Sequence, residues 1–480
     1  MDFRPILYVL GILLSIMALS MLLPMAADLY WGNPDWRVFF LCIVITSFFG
    51  GSLILSNSGH NVNMSLRQAF MMTFLSWVAL PIFAALPFTL AGMNLSFTDA
   101  FFEAVSGITT TGSTIITGLD DAPPGILLWR AILQWLGGIG IIIMAMSVLP
   151  FLNVGGMQIF RTELSENDKV LPRTAQLASS IGITYITLTI LCTIAFLTAG
   201  MGKFDALTHA MTTIATGGFS TYDASISHFK SDSIELIAAF FMILAGIPFV
   251  LYLKTANGNI RALFTDTQVH LFLSIVAASI AVTSVYLVLT HGMAPKTAFV
   301  GSTFNIVSLI TGTGYTSEAY DQWGGFVIAL FFFLMAIGAC AGSTSCGIKI
   351  FRFQIFLSLI KVQIKKLLHP NGAFVAYYNG KPIPKDVPLS VMSFLFLYAI
   401  CFIALALALS ATGLDFITAL SGAMTSISNV GPGLGETIGP TGNFSTLPDT
   451  AKWILTVGML LGRLEILAAF VIFHPLFWRH

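Results

Sequence analysis

Ten apolar stretches, each long enough to cross a bilayer, restrict this 480-residue chain to a membrane-embedded fold. They run at about 5–26, 38–57, 67–92, 126–152, 176–201, 232–254, 268–290, 325–350, 387–411 and 451–475. Only 9% of the residues are charged, against about a quarter in soluble domains. In lipid a helix satisfies its own backbone hydrogen bonds, so the stretches are expected to be helices. The first stretch has a loose cleavage-like site at Met25-Ala26-Ala27. Its leading charges are only Asp2 and Arg4, and a second span soon follows, so an uncleaved helix is expected.

After the first two stretches, the other eight fall into four pairs, and a short segment ending in glycine lies within each pair. The segments are DAFFEAVSGITTTG, DALTHAMTTIATGG, GSTFNIVSLITGTG and TALSGAMTSISNVG, ending at Gly112, Gly218, Gly314 and Gly431. Twelve residues before each glycine stand Ala100, Ala206, Ser302 and Ala419, all small. Six before it stand Ser106, Thr212, Ser308 and Thr425, all hydroxyl-bearing. The pattern predicts an all-α integral membrane protein: four tandem helix–P-loop–helix repeats around one pseudo-fourfold pore, plus two extra N-terminal transmembrane helices. The expected divisions are 1–60 for the N-terminal helices, then repeats at 61–157, 158–258, 259–370 (its second helix broken) and 371–480.

Charge placement orients the chain. With both termini in the cytoplasm, 15 of the 22 basic residues fall on that side, among them Arg161, Lys169, Arg173, Lys361, Lys365, Lys366, Lys381 and Lys385. The same sorting turns 15 of the 22 acidic residues outward, including Asp99, Glu103, Asp120, Asp121, Asp223 and Glu436. An acidic outer face raises the local cation concentration.

Non-helical backbone at membrane depth survives only where protein or a water-filled cavity surrounds it. Extended carbonyls there can replace the water around a monovalent cation, and glycine allows the dihedrals that aim them at one axis. The expected lining is Thr110, Thr111 and Gly112; Thr216, Gly217 and Gly218; Gly312, Thr313 and Gly314; Asn429, Val430 and Gly431. A second unusual segment, IGACAGSTSCGIKIFRF at 337–353, is rich in poor helix formers. On the residues alone a chain break and a tightly packed kink are both open. Arg463 lies inside the last span, where a guanidinium costs at least ~3 kcal/mol unless paired or hydrated. Glu465, two residues on, does not share its face of a helix. Arg463 is therefore either a fixed charge near the pore or a group paired elsewhere for assembly.

Several classes are excluded or left as competitors. The eight histidines form no HExxH cluster, the five cysteines have no metal-ligand spacing, and no nucleophile elbow occurs, so no enzyme, resident metal or cofactor is expected. The chain carries no Walker or Rossmann motif, and its zero formal charge gives no reason to expect a nucleic-acid partner. A secondary transporter with inverted repeats needs an odd number of crossings per repeat, which this pattern lacks. Coupling to H⁺ or Na⁺ stays the alternative; it would need a titratable group in the path, with Glu103 and His209 as candidates.

The four glycine-ended repeats, the two extra N-terminal spans and the segment GMLLGRLEIL at 458–467 resemble the Trk/Ktr/HKT superfamily of potassium transporters, within it the Trk-type membrane subunit (TrkH-like). The resemblance implies K⁺ uptake across the cytoplasmic (inner) membrane through a channel-like pore, with K⁺ held only at a filter of the four glycines. Related members with serine at the first filter glycine admit Na⁺ more readily, so Gly112 favours K⁺. It also implies an intramembrane gating loop, here Gly338, Gly342, Ser343, Thr344, Ser345, Gly347 and Lys349, although Ala339 and Cys346 replace the usual glycines. The implied partners are a second copy in a homodimer and a cytosolic nucleotide-binding regulatory subunit (TrkA-like, of RCK type). The basic segment 354–386 would meet either that subunit or the lipid surface.

Overall fold

The structure, a computed structural model, describes residues 1–59, 64–93, 95–147, 156 and 174–479. The expected divisions after 60 and after 157 lie outside the described residues, as do Arg161, Lys169 and Arg173. Among the described residues the regular structure is helical, apart from one two-stranded hairpin (Tyr377–Tyr378 with Lys381–Pro382) and one isolated bridge.

Seven of the ten apolar stretches form helices able to span without a sharp break: Arg4–Trp31, Trp36–Asn57, Leu66–Leu90, Pro124–Met144, Ala178–Thr198, Thr267–His291 and Asp386–Ser410. The other three are not continuous spans. Asp232–Ala245 and Phe249–Ala256 meet at 86°, and Asp449–Arg463 and Ile466–Phe473 at 106°. Gly325–Ala336 is separated from Ile350–Leu368 by a non-helical segment. The first break falls at Gly246-Ile247-Pro248, where proline has no N–H to continue the ladder. The second falls at Leu464-Glu465, with Glu465 left-handed at φ 54. The two bent pairs fall in stretches expected to be continuous, because hydropathy reports depth in the membrane and not continuity of the backbone; the third interruption lies in the stretch 325–350, where a broken helix is expected.

Burial sorts the spans into shells. Pro124–Met144 has 72% of its apolar window buried, whereas Thr267–His291 and Asp386–Ser410 have 28%. The first member of a pair thus faces outward, and the second member of the first repeat lies inside. The two N-terminal helices pack through Gly11 and Gly50, where a Cβ on either would lie within 3.0 Å of the other's carbonyl oxygen. Close approach of backbones is how helices gain contact in lipid.

Four shorter helices enter this assembly without spanning it: Phe97–Ile108, Lys203–Ile214, Pro295–Thr311 and Phe416–Ser428. Each ends just before one of the four glycines. Ala100, Ala206, Ser302 and Ala419 are buried on them, where small residues admit the neighbouring helices.

Candidate functional site

The four glycine segments come together as a closed ring. A Cβ on Gly112 would collide with the Gly217 carbonyl oxygen, one on Gly218 with that of Thr313, and one on Gly314 with that of Val430. A Cβ on Gly431 would lie 2.8 Å from the Thr111 carbonyl oxygen. Each glycine therefore abuts the carbonyl just before the glycine of the next repeat, and the fourth closes on the first. Only residues without a side chain fit at these four places.

One helix ending builds all four segments. The N–H groups of Thr111, Gly217, Thr313 and Val430 donate to the carbonyls of Ser106, Thr212, Ser308 and Thr425, at 2.9 to 3.1 Å. Those of Thr110, Thr216, Gly312 and Asn429 donate to the carbonyls of Gly107, Thr213, Leu309 and Ser426, at 3.0 to 3.3 Å. This is the Schellman pattern, whose turning residue is left-handed. Accordingly Thr110, Thr216, Gly312 and Asn429 have φ of 54, 49, 73 and 52°. The ring glycines are left-handed again, at 87, 79, 79 and 113°. Threonine at positive φ is uncommon and costs on the order of 1–3 kcal/mol, so the surroundings hold it there.

The hydroxyl six residues before each glycine has no uniform side-chain role; its backbone carbonyl is what all four repeats use. Thr425 Oγ1 accepts from the Gly431 N–H at 2.9 Å, and Ser308 Oγ donates to the Tyr315 carbonyl at 2.7 Å. Thr212 Oγ1 meets the Tyr315 hydroxyl at 2.5 Å, and Ser106 Oγ has no partner.

The residue after each glycine grips the preceding repeat. Ser113 Oγ donates to the Gly431 carbonyl at 2.7 Å. The Phe219 N–H donates to Gln134 Oε1 at 3.0 Å, and its ring lies 4.1 Å from the Arg130 guanidinium. Tyr315 reaches Thr212, and Pro432 packs on Gly314.

A cavity of about 290 Å³ opens on one side of the ring, lined by Gly112, Gly218, Gly314 and Pro432 among others. Two acidic residues expected to line an acidic mouth are bound up in ion pairs instead. Glu103 is fully buried, pairs with Arg130 at 2.9 Å and accepts from the Ile115 N–H at 2.9 Å. Asp99 pairs with Lys452 at 2.6 Å. His209 bonds the Asp205 carbonyl and Ser220 Oγ, also fully buried. Neither Glu103 nor His209 is open to solvent, which weakens both as groups for proton coupling.

Beneath the ring lies the segment between Ala336 and Ile350. The Gly338 N–H donates to the Ile348 carbonyl at 2.9 Å and the Ile348 N–H to the Ala336 carbonyl at 3.0 Å, closing the segment into a loop. Gly342 accepts from the Phe249 N–H at 2.9 Å, and Thr344 Oγ1 donates to the Ala245 carbonyl at 3.2 Å, so the loop seats in the break of the second repeat. Ser343, Thr344, Ser345 and Lys349 are buried, and Ser345 Oγ accepts from the Ala339 N–H at 2.8 Å. Lys349 Nζ caps the Ser345 carbonyl. Cys346 Sγ lies 3.8 Å from Thr110 Oγ1 and contacts the Arg463 guanidinium, so it joins ring to charge. Arg463 also donates to the Gly137 carbonyl at 3.1 Å. Among the described residues, Cys346, Gly347, Lys349, Arg463 and Glu465 border a cavity of only about 30 Å³, space for about two waters.

Residues 36–478 match the family of TrkH cation transport proteins. The chain belongs to the TrkH family. Within it, the chain is 45% identical over 477 residues to the Trk system potassium uptake protein TrkI of Halomonas elongata, covering 99% of this chain and 97% of that one. It is 35% identical over 485 residues to the Trk system potassium uptake protein TrkH of Escherichia coli K12, covering both completely. The crystal structure of the potassium transporter TrkH from Vibrio parahaemolyticus superposes with a TM-score of 0.92 at 35% identity, over the whole of both chains. These relatives are transport proteins, and the TrkH-family fold is all-α and membrane-integral, as the sequence implies.

Sequence reasoning missed Gln134, Arg130 with Glu103, and Glu465 as structural partners of the site. Their common signal is a polar side chain in or beside an apolar span. For Glu465 the assumption of a continuous helix hid the role: the chain breaks there, and Glu465 pairs with Arg352 at 2.5 Å.

Proposed function

We propose that this chain carries K⁺ inward across the cytoplasmic membrane through a channel-like pore whose filter is the ring at Gly112, Gly218, Gly314 and Gly431. The observation that carries the reading is the ring itself: four glycines, each against the next repeat's carbonyl, with no room for a side chain. Carbonyl oxygens at that spacing of repeats replace the hydration shell of a monovalent cation. Thr110, Thr111, Thr216, Gly217, Gly312, Thr313, Asn429 and Val430 supply the backbone around it. The half-helices end at the ring and add the negative ends of their dipoles. The names of the relatives, potassium uptake proteins, make K⁺ the ion.

In this reading the loop containing Gly338, Gly342, Ser343, Thr344, Ser345, Gly347 and Lys349 is the gate, and Arg463 is a fixed positive charge that raises the barrier for a cation below the filter. The exposed lysines Lys361, Lys365 and Lys366 extend from the end of that loop on Ile350–Leu368. They form the face on which a cytosolic nucleotide-binding regulatory subunit docks. The functional unit is a homodimer of four-repeat protomers, with the repeats divided near 61, 158, 259 and 371 and both termini in the cytoplasm.

The test is reconstitution of the chain alone into liposomes, reading the reversal potential under K⁺, Na⁺ and pH gradients. The potential is expected to follow K⁺ only; a shift with pH at fixed K⁺ would replace the pore by a symporter. Gly112→Ser is expected to lower K⁺ over Na⁺ selectivity, and unchanged selectivity would sink the filter assignment.

A further inference from the structure

The residue before each ring glycine is held differently in the four repeats. The hydroxyls of Thr111 and Thr313 meet those of Thr109 and Thr311 at 2.7 and 2.8 Å, and Thr111 Oγ1 also accepts from Asn429 Nδ2 at 2.9 Å. Val430 has a branched, buried side chain, stiff at χ1. Gly217 has none, and Gly218 follows it, so the peptide between them has the least intrinsic restraint of the four. Yet the Gly217 carbonyl sits against Gly112 just as its three counterparts sit against their glycines.

What holds it comes from another repeat. Gln134, fully buried on Pro124–Ser147, donates from Nε2 to the Gly217 carbonyl at 2.5 Å and accepts at Oε1 from the Phe219 N–H at 3.0 Å. One side-chain amide therefore clamps the backbone on both sides of Gly218. It also fills the space of the absent side chain: a Cβ on Gly217 would collide with the Gln134 amide and lie 2.9 Å from its Cγ. The pair of bonds needs a side chain that donates at one end and accepts at the other, as the amide does.

We propose that Gln134 is a specificity-determining positioning residue, supplying to the second filter segment from the first repeat the brace that a side chain supplies in the other three. The proposal rests on the filter reading above. Without the clamp the Gly217 carbonyl can leave the ring, which then fits a dehydrated K⁺ less well and discriminates less against Na⁺. An ordinary packing residue would change the amount of folded protein or the total flux and leave the ion ratio alone.

The experiment is a double-mutant cycle in liposomes, reading the K⁺/Na⁺ permeability ratio of purified, monodisperse protein. Gln134→Ala is expected to lower the ratio about tenfold, the factor set by one hydrogen bond of ordinary net strength. Gly217→Thr alone collides with Gln134 and is expected to lose flux. Gly217 is not among the left-handed residues, so threonine is allowed there, and Gln134→Ala with Gly217→Thr is expected to restore the ratio. Gln134→Met keeps the length of the side chain but offers neither the donor for Gly217 nor an effective acceptor for Phe219, and is expected to behave like Gln134→Ala. A wild-type ratio in Gln134→Ala or Gln134→Met overturns the proposal, as does failure of both variants to fold. Gly112→Ser, measured in parallel, separates the two readings. Selectivity lost there but kept in the Gln134 variants overturns this inference alone, and selectivity kept in all of them overturns the filter as well.

Discussion

Arg352 and Glu465, 113 residues apart, meet at 2.5 Å and join the broken spans of the third and fourth repeats. The Arg352 guanidinium also lies 3.7 Å from the centre of the Phe394 ring. A buried pair of this kind does little net work compared with an apolar filling, but removing one partner leaves a charge without compensation. Glu465→Gln is therefore expected to destabilise the protein by about 3–5 kcal/mol, read as a lowered Tm in detergent. Replacing Arg352 by Met and Glu465 by Leu together should recover part of that loss; a double variant as unstable as Glu465→Gln would argue against the pair.

Arg463 is held by the Gly137 carbonyl and by contact with Cys346, one residue away from the ring's turning threonine. In the proposed reading, Arg463→Gln removes a positive charge from the path below the filter. The expected outcome is a K⁺ flux about fivefold higher, equivalent to roughly 1 kcal/mol off the barrier. Unchanged or lower flux in folded, inserted protein would count against the barrier role.

Two left-handed glycines of the third repeat should respond oppositely to substitution. At Gly314 a Cβ collides with the Val430 carbonyl and lies 2.8 Å from Pro432 Cδ, so Gly314→Ala is expected to abolish K⁺ flux. At Gly312 the nearest atom, the Asn429 carbonyl oxygen, is 3.3 Å away, and Asn429 itself holds the equivalent turn at φ 52°. Gly312→Asn is expected to keep flux within about fivefold, since asparagine visits this conformation at ~1 kcal/mol. Equal losses in tracer uptake would show that conformation, and not space, governs both positions.

Asp415 caps the N-terminus of the fourth half-helix, accepting from the Thr418 N–H at 3.1 Å. Bonds from the Thr418 side chain and backbone hold its carboxyl below the ordinary aspartate value. A lowered native value means that the stabilisation is present above the unfolded value and lost as pH falls through the folded one. Asp415→Ala should cost about 1 kcal/mol near neutral pH, and its Tm deficit should shrink as the pH is taken below about 4. A deficit that persists in acid would mean that the cap acts through shape and not charge.

The sequence made the four glycine segments legible because a repeated constraint leaves a repeated trace, and the all-α membrane fold was legible from apolar length. Three features were not. Hydropathy passes over the breaks at Gly246-Ile247-Pro248 and at Glu465, since the flanking residues stay apolar on both sides. The hydroxyl six residues before each glycine pointed to the right position, but it is the carbonyl there that closes the turn. Gln134 was invisible because its partners are backbone groups 83 and 85 residues further on, and a backbone group leaves no mark in sequence.

The grip of each post-glycine residue on the preceding repeat has a consequence for how the molecule is made. Chains emerge from the ribosome N-terminus first. Phe219, Tyr315 and Pro432 each reach back to a repeat that has already been synthesised, so the second, third and fourth segments can be seated as they arrive. Ser113 alone reaches forward, to Gly431, 318 residues away. That last seam stays open through most of synthesis, and a nascent chain has no closed ring until its final repeat is in the bilayer.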